Sequence, residues 1–295
     1  MSNPLPRIAL VPLVAGVAAC GWAFVPTLAF MYEKWVGDPQ YSHGFLVPAF
    51  SGYLLWTAHS AGKLTASRPL PLLAAGLLLP VLALRWVAGG LMFHQLDCLA
   101  LILSLAVLTV AVGGWAFLRA CAPAVVFLVF MVPLPYELER NVGGPLKEVA
   151  TAGSTYLLQT LGLPAVAEGH VILIDEVRLG VVDACSGLKM LMTFSAFAAG
   201  AVLTLGRTKF ENLLVVLGVV PIAVLTNVLR ITATGVAHTL TDDKDTLHFL
   251  HDLHGWLMMP TGLALLGAQL WCLGRLVERA PEPTTAYAPL RPSFA

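Results

Sequence analysis

Long runs of apolar residues alternate with short polar segments along the whole of this 295-residue chain. Within each run the apolar residues are continuous and do not recur at every second position, which predicts helices and not the strands of a barrel. A helix needs about 20 mostly apolar residues to cross the ~30 Å hydrocarbon layer. The pattern predicts an all-α integral membrane protein with about eight transmembrane helices, at residues 8–30, 45–58, 70–87, 96–112, 115–132, 188–205, 213–230 and 255–276.

Composition agrees with this class, because 58% of the residues are hydrophobic and only 12% are charged. Such a chain is unsuited to a water-soluble globule. The formal net charge is zero and no cluster of Lys or Arg occurs, so nothing points to nucleic acid as a partner. The first apolar run is longer than the apolar part of a signal peptide, and we expect it to be a retained anchor.

Basic residues next to the predicted spans indicate the orientation, since Lys and Arg are favoured on the cytoplasmic side. The bias is clearest at the short turn that contains Arg207 and Lys209. With this turn inside, both termini are cytoplasmic in a bacterial inner membrane. The whole of residues 1–279 is predicted to form one polytopic membrane domain, and the Pro-rich residues 280–295 a disordered cytoplasmic tail.

One long stretch, residues 133–184, contains no span and falls on the extracytoplasmic side of this topology. Residues 136–163 mix apolar with charged residues, as is typical of a helical segment that lies in the membrane interface. Residues 170–182 contain two β-branched runs around a polar centre and predict a short β-hairpin.

Cys185 follows this hairpin and immediately precedes the apolar run at residues 188–205. The N-terminus of a helix lowers the pKa of a nearby thiol, and Lys189 four residues later adds positive potential. Asp183 and Ser186 make the surroundings polar, unlike those of the other four cysteines. A reactive thiolate is therefore one interpretation, and a buried structural cysteine with a snorkelling lysine is the other.

Arg230 and His251 share the extracytoplasmic level with Cys185, because the three predicted helices alternate in direction. An arginine in an apolar run marks a functional site or a snorkelling side chain, and Asn227 one turn earlier is placed to orient it. His251 is suited to accept a thiol proton, with Asp183 or Asp252 to orient it. His248, His251 and His254 also have the spacing of a zinc site, but no carboxylate or further cysteine completes a convincing ligand set, and we predict neither metal nor cofactor.

Four motifs in this order resemble the exosortase/archaeosortase family of membrane cysteine transpeptidases. They are Tyr41-Ser42-His43-Gly44-Phe45, Ala184-Cys185-Ser186-Gly187, Asn227-Val228-Leu229-Arg230 and His251-Asp252-Leu253-His254-Gly255-Trp256. The resemblance covers roughly residues 35–275. It implies Cys185 as the nucleophile, Arg230 as the group that stabilises the oxyanion and His251 as the acid and base, with His254 as a rival. It also implies that His43 lines the site, although capping of the second span is an equal alternative.

The resemblance further implies the substrates. These are exported proteins with a C-terminal sorting tail that consists of a short motif such as Pro-Glu-Pro, a transmembrane helix and a basic cluster. Cleavage would leave the protein as a thioester on Cys185, for transfer to an unknown acceptor such as a glycan or a lipid. Two alternatives remain open: a protease that uses water as the acceptor, and a non-enzymatic transport or assembly component of exopolysaccharide export.

Overall fold

The computed structural model describes residues 3–4, 7–181, 187–241 and 243–276. Nine α-helices make up most of this part of the chain. They are α1 (Arg7–Ala23), α2 (Val25–Gly37), α3 (Leu46–Ser60), α4 (Pro71–Gly90), α5 (His94–Phe127), α6 (Tyr136–Thr160), α7 (Leu188–Thr204), α8 (Lys209–Leu240) and α9 (Lys244–Leu276). Two 3₁₀ helices, η1 (Pro39–Phe45) and η2 (Leu128–Met131), precede α3 and follow α5.

The predicted count of eight spans is not confirmed, although the protein is helical and apolar as expected. Four helices among the described residues are long and apolar enough to cross a membrane, at Pro71–Gly90, His94–Met131, Lys209–Leu240 and Leu253–Leu276. A fifth candidate is the pair formed by α1 and α2, which is bent by 71° where one straight span was predicted. α3 and α7 have 15 and 17 residues, somewhat short of the usual crossing length.

α5 folds back on itself at Gly114. The Gln95 side-chain amide donates to the carbonyl oxygen of Leu134 at 3.4 Å, whereas a straight helix would separate these residues by about 58 Å. Gly114 has φ 66°, and a Cβ there would lie 2.3 Å from Ser67 Oγ, so glycine is required at this bend. The two antiparallel arms correspond to the spans predicted at residues 96–112 and 115–132.

The bend between α1 and α2 has a local cause in Pro26, which lacks the N–H that would continue the helix. Arg85 of α4 donates to the carbonyl oxygen of Ala23 at 2.5 Å, which compensates part of the broken helix. The same guanidinium lies 3.3 Å from Asp97 of α5. The bend is therefore held by an ion pair from two other helices.

The predicted hairpin is present and belongs to a larger sheet. Strands β1 (Asn3–Pro4) and β2 (Thr65–Ala66) form a separate two-residue pair. β3 (Ala165–Glu168), β4 (Val171–Ile174) and β5 (Val177–Gly180) form a three-stranded antiparallel sheet. Ile172 and Ile174 are fully buried beside Ile231 of α8, so the sheet packs on the helices. The sequence did not predict β3, because four residues with two alanines carry little strand preference.

α6, the helical segment expected in the interface, is one continuous helix of 25 residues. Its second half packs against α8, where Ser154 Oγ donates to the carbonyl oxygen of Val228 at 3.3 Å. α7, α8 and α9 share an apolar core around Phe194, Val215 and Met258. This three-helix core supports the site described next.

Candidate active site

A cavity of about 1320 Å³ lies between η1, α6, α7, α8 and α9. Two residues predicted for the site, Lys189 and Arg230, line it, and so do Gly255 and Trp256 of the histidine motif. α6 and η1 supply much of the remaining lining, which includes both acidic and basic side chains. Motifs that are far apart in the sequence thus meet at one cavity.

Arg230 is only 8% exposed, and its guanidinium is directed at α9. A Cβ at Gly255 would lie in van der Waals contact with Arg230 Nη2, at 3.6 Å, so the guanidinium lies next to this residue of α9. α8 continues to Leu240, ten residues beyond the predicted end of this span. Arg230 therefore projects from the middle of a rigid helix, which fixes its direction better than a fraying terminus would.

Lys189 lies in the first turn of α7 and lines the same cavity. Its ammonium group is repelled by Arg230 and attracted by Asp38, which also lines the cavity. The lining as a whole has four Lys or Arg side chains and two acidic ones, an excess of positive charge that favours an anionic group there. The cavity can therefore stabilise an oxyanion or bind a negatively charged ligand.

Asn227 does not line the cavity but packs beneath the start of α7. It is 1% exposed, and a Cβ at Gly187 would lie 3.3 Å from Asn227 Nδ2. Gly187 adopts φ 78° as the N-cap residue of α7, a conformation that favours glycine. Asn227 thus holds the beginning of α7 one helical turn from Arg230.

Cys185 and Asp183 lie outside the described residues, which end at Val181 and resume at Gly187 on either side of them. Val181 and Gly187, the described residues on either side, are both buried. Cys185 stands two positions before Gly187 in the chain. The roles of Cys185 and Asp183 stay predictions.

The histidines of the last motif divide into two groups. His251 belongs to α9 one turn before Gly255, but its side chain, like those of His248 and Asp252, lies outside the described part. His254 lines a different, mainly apolar groove of about 510 Å³ together with Leu229 and Leu250. The described structure therefore does not bring the rival His254 to the Arg230 cavity. The zinc interpretation stays a prediction, because the side chains of His248 and His251 lie outside the described part.

The structure places His43 beside the cavity and not in its lining. His43 is 6% exposed, and its Nδ1 lies 3.1 Å from the carbonyl oxygen of Gln40. Burial lowers the pKa of His43 and the positive charge of Lys189 lowers it further, while carbonyl groups of Gln40 and Phe130 oppose the shift. Ser42, the preceding residue, lines the cavity instead. Adjacent side chains in a 3₁₀ helix point in different directions. The sequence alone therefore could not decide whether Ser42 or His43 lines the cavity.

Tyr41 connects η1 to α6. Its hydroxyl donates to Glu139, accepts from the N–H of Leu134 at 3.0 Å, and is 2% exposed. Burial raises the pKa of Tyr41, and the hydrogen bond to Glu139 adds to this effect. The tyrosine of the first motif therefore joins two sides of the cavity.

Sequence reasoning missed the contribution of α6. Glu139, Arg140 and Lys147 line the cavity, and His170 adds a group from the loop before β4. The charged face of α6 was the available signal, but charges on an amphipathic helix are equally expected to face water. Among the described residues, no group of three His, Cys, Asp or Glu is placed to hold a metal ion.

Comparison with known families decides the relationship of the chain. A family model for transmembrane exosortases matches residues 35–268. The chain belongs to the transmembrane exosortase family. The match spans all four motifs, so the cavity of this exosortase lies within the family-defining region. No curated protein and no solved structure matches the chain.

Family membership and the apolar helices together make this exosortase a multi-pass membrane protein. The basic lining of the cavity fits a site where negative charge develops, and α7 begins at its edge.

Proposed function

We propose that this exosortase cleaves the C-terminal sorting tails of exported proteins through a Cys185 thioester. The Cys185 sulfur attacks the carbonyl carbon of the scissile peptide bond, and the negative charge moves to the carbonyl oxygen. Arg230 stabilises this oxyanion, and His251 takes the thiol proton and gives it to the leaving amine. An acceptor nucleophile then attacks the thioester and regenerates the thiol.

One observation supports this proposal above the others. Arg230 lines a large cavity within one helical turn of Asn227, and Asn227 packs on Gly187, two positions after Cys185. The cysteine motif and the arginine motif are therefore brought together by contacts between described residues. Arg230 is only 8% exposed, and a buried guanidinium stabilises developing charge more strongly than one in water does.

We further propose that the cavity faces the extracytoplasmic side of a bacterial inner membrane, with eight crossings and both termini in the cytoplasm. Arg207, in the most basic turn, precedes Arg230 by 23 residues along the chain, which is about 34 Å of helix. This length is close to the ~30 Å hydrocarbon layer. If the basic turn is cytoplasmic, the cavity lies at the opposite surface.

The partners follow from this chemistry. The substrate is an exported protein whose tail contains a Pro-Glu-Pro-like motif, a transmembrane helix and a basic cluster, and the acceptor is a glycan, a lipid or water. The mass of the product separates transfer from hydrolysis. A covalently attached glycan or lipid supports transfer, and a free carboxyl terminus supports hydrolysis.

The test is processing of a reporter protein with such a tail in membranes that contain the wild-type chain or a variant. Cys185→Ala should abolish cleavage, and His251→Ala should reduce it strongly. Cys272→Ala serves as the matched control, because this cysteine is exposed and distant in sequence from all four motifs. Normal cleavage by Cys185→Ala would contradict the proposal, whereas absence of cleavage by the wild type as well would favour a transport or assembly role.

A further inference from the structure

The three-stranded sheet has one edge whose backbone groups are directed away from the rest of the sheet. Val181 N–H donates to the carbonyl oxygen of His170 at 2.8 Å, which fixes the phase of the β4–β5 ladder. Antiparallel pairs alternate between hydrogen-bonded and non-hydrogen-bonded positions. Ile172–Leu179 and Ile174–Val177 are therefore bonded pairs, and the N–H and C=O groups of Arg178 and Gly180 face outward.

This outer edge of β5 is open in the part of the chain that the structure describes. Arg178 and Gly180 are exposed, and no described strand pairs with β5 on that side. At the opposite edge of the sheet, one of the two outward-facing residues of β3, Ala165, is already engaged. Its N–H donates to Leu163 at 2.9 Å, and its carbonyl oxygen accepts from Gln159 at 2.8 Å. An edge with free backbone groups is a template for another strand.

The open edge leads to the cavity. β5 ends at Gly180, and Val181, the next residue, is paired with His170. His170 lines the cavity that contains Arg230. Five residues after Gly180 comes Cys185. A peptide along the outer edge of β5 would lie two strand spacings, about 10 Å, from the strand end that carries His170, and would therefore pass near this cavity.

We propose that the open edge of β5 binds the cleavable segment of the substrate tail as a fourth strand, with Arg178 and Gly180 supplying its backbone hydrogen bonds. This proposal rests on the proposed function, because it names the surface that presents the substrate to that site. An extended segment fits the requirement of the chemistry, since a peptide carbonyl inside a helix is shielded by its own hydrogen bond. Strand addition supplies affinity through the main chain and places alternate side chains on alternate faces.

The protein side is tested with a backbone substitution and its matched control. Arg178→Pro removes an N–H that faces outward from β5 and leaves the β4 bonds intact, whereas Ala167→Pro makes the same backbone change at the outward-facing position of β3, on the opposite edge of the sheet. Loss of one such hydrogen bond should lower kcat/KM by about tenfold in Arg178→Pro, mainly through KM. Ala167→Pro should stay within about twofold of wild type. Equal kinetics of the two variants would overturn the proposal.

The substrate side provides a test that does not depend on the folding of a variant. The probe is a synthetic peptide centred on the Pro-Glu-Pro segment of the reporter tail, with one backbone N–H at a time replaced by N–CH₃. Strand addition predicts that methylation at alternate non-proline positions weakens competition with the reporter by about tenfold, and that the positions between them have little effect. A profile without this alternation would overturn the proposal.

A third measurement separates this proposal from the proposed function. Amide hydrogen exchange is measured on the Cys185→Ala protein with and without the probe peptide. The amides of Arg178 and Gly180 should exchange about tenfold more slowly with peptide, while that of Leu179 is already protected by β4. Protection without any tail cleavage by the wild type would keep the strand site and reject the protease. Cleavage without protection would reject the strand site and keep the protease.

Discussion

Two arginines at α8, Arg207 partly buried and Arg230 buried, have different surroundings. Arg207, just before α8, lies 3.1 Å from the Glu211 carboxylate and donates to the carbonyl oxygen of Leu270 at 2.9 Å. Arg230, farther along α8, lines a cavity that it shares with Lys189. The Arg207 guanidinium is engaged in contacts that join α8 to α9. The Arg230 guanidinium faces a space large enough for a ligand.

The comparison separates structural from functional charge in a membrane protein. Burying a guanidinium is costly, so it is retained where its contacts or its function offset that cost. Glu211 is fully buried and completes a capping box with Thr208, which accounts for Arg207 as a structural residue. Lys189 is repelled by Arg230 and attracted by Asp38, and this set of charges around one cavity is suited to binding a charged ligand.

The largest effect on activity is expected for Arg230→Ala. Loss of an oxyanion-stabilising group should reduce kcat for tail cleavage by about 100- to 1,000-fold. Arg230→Lys should recover part of the rate, because it keeps the charge but not the planar donor geometry. The rates come from reporter cleavage by purified protein, and thermal unfolding in detergent verifies that each variant is folded. Wild-type kinetics of Arg230→Ala would erase the distinction between the two arginines.

Arg207→Ala should affect stability and not catalysis. Removal of the guanidinium leaves the Glu211 carboxylate buried without its ionic partner, which costs about 3–5 kcal/mol. We expect a lower thermal midpoint and a normal cleavage rate for each folded molecule. Arg68→Ala is the control, because Arg68 is exposed. A loss of kcat as large as that of Arg230→Ala, in folded protein, would contradict the structural role of Arg207.

The sequence predicts the charged cavity residues of α7 and α8 better than it predicts those of α6. Arg230 and Lys189 stand out because charge is rare in apolar runs, and both prove to line the cavity. The helices and the β4–β5 hairpin follow from the length and pattern of apolar runs. The cavity-lining face of α6 does not, because the choice between water and a neighbouring element depends on tertiary contacts such as Tyr41–Glu139.

Other differences between the predicted and the observed structure also have specific causes. The bend after Ala23 depends on Pro26 and on Arg85, which comes from a helix far along the chain. His43 and His254 each belong to a motif, yet one is buried beside the cavity and the other lines a separate groove. A motif identifies a segment, and the direction of each side chain within it is set by packing.

A smaller effect, on the pH dependence of stability, is expected for His43, whose pKa is lowered in part by the charge of Lys189. Because burial lowers the pKa of His43 in the folded protein, the unfolded chain binds a proton more readily. Stability should be highest above the usual histidine pKa of about 6.5 and fall as the pH decreases below it. His43→Gln should reduce this acid sensitivity of the thermal midpoint, and His59→Gln, at an exposed position, should not. Identical pH profiles of His43→Gln and wild type would contradict the prediction.

The smallest effect is expected for His254→Ala. His254 lines the groove with Leu229 and Leu250 and does not line the Arg230 cavity. Cleavage by this variant should remain within about threefold of wild type, whereas His251→Ala should lose most of its activity. The measurement is the same reporter assay at matched amounts of folded protein. A larger loss for His254→Ala than for His251→Ala would assign the base to His254.

Covalent capture of the substrate on Cys185 tests the central claim most directly. Wild-type protein is mixed with the tail reporter, denatured within seconds at acidic pH and analysed by peptide mass spectrometry. We predict a substrate fragment joined to the peptide that contains Cys185, which neutral hydroxylamine removes because a thioester is labile to it. Arg230→Ala should accumulate less of this adduct. Cleavage of the reporter by wild type with no adduct on Cys185, and equal cleavage by Cys185→Ala, would contradict the assignment of Cys185 as the nucleophile.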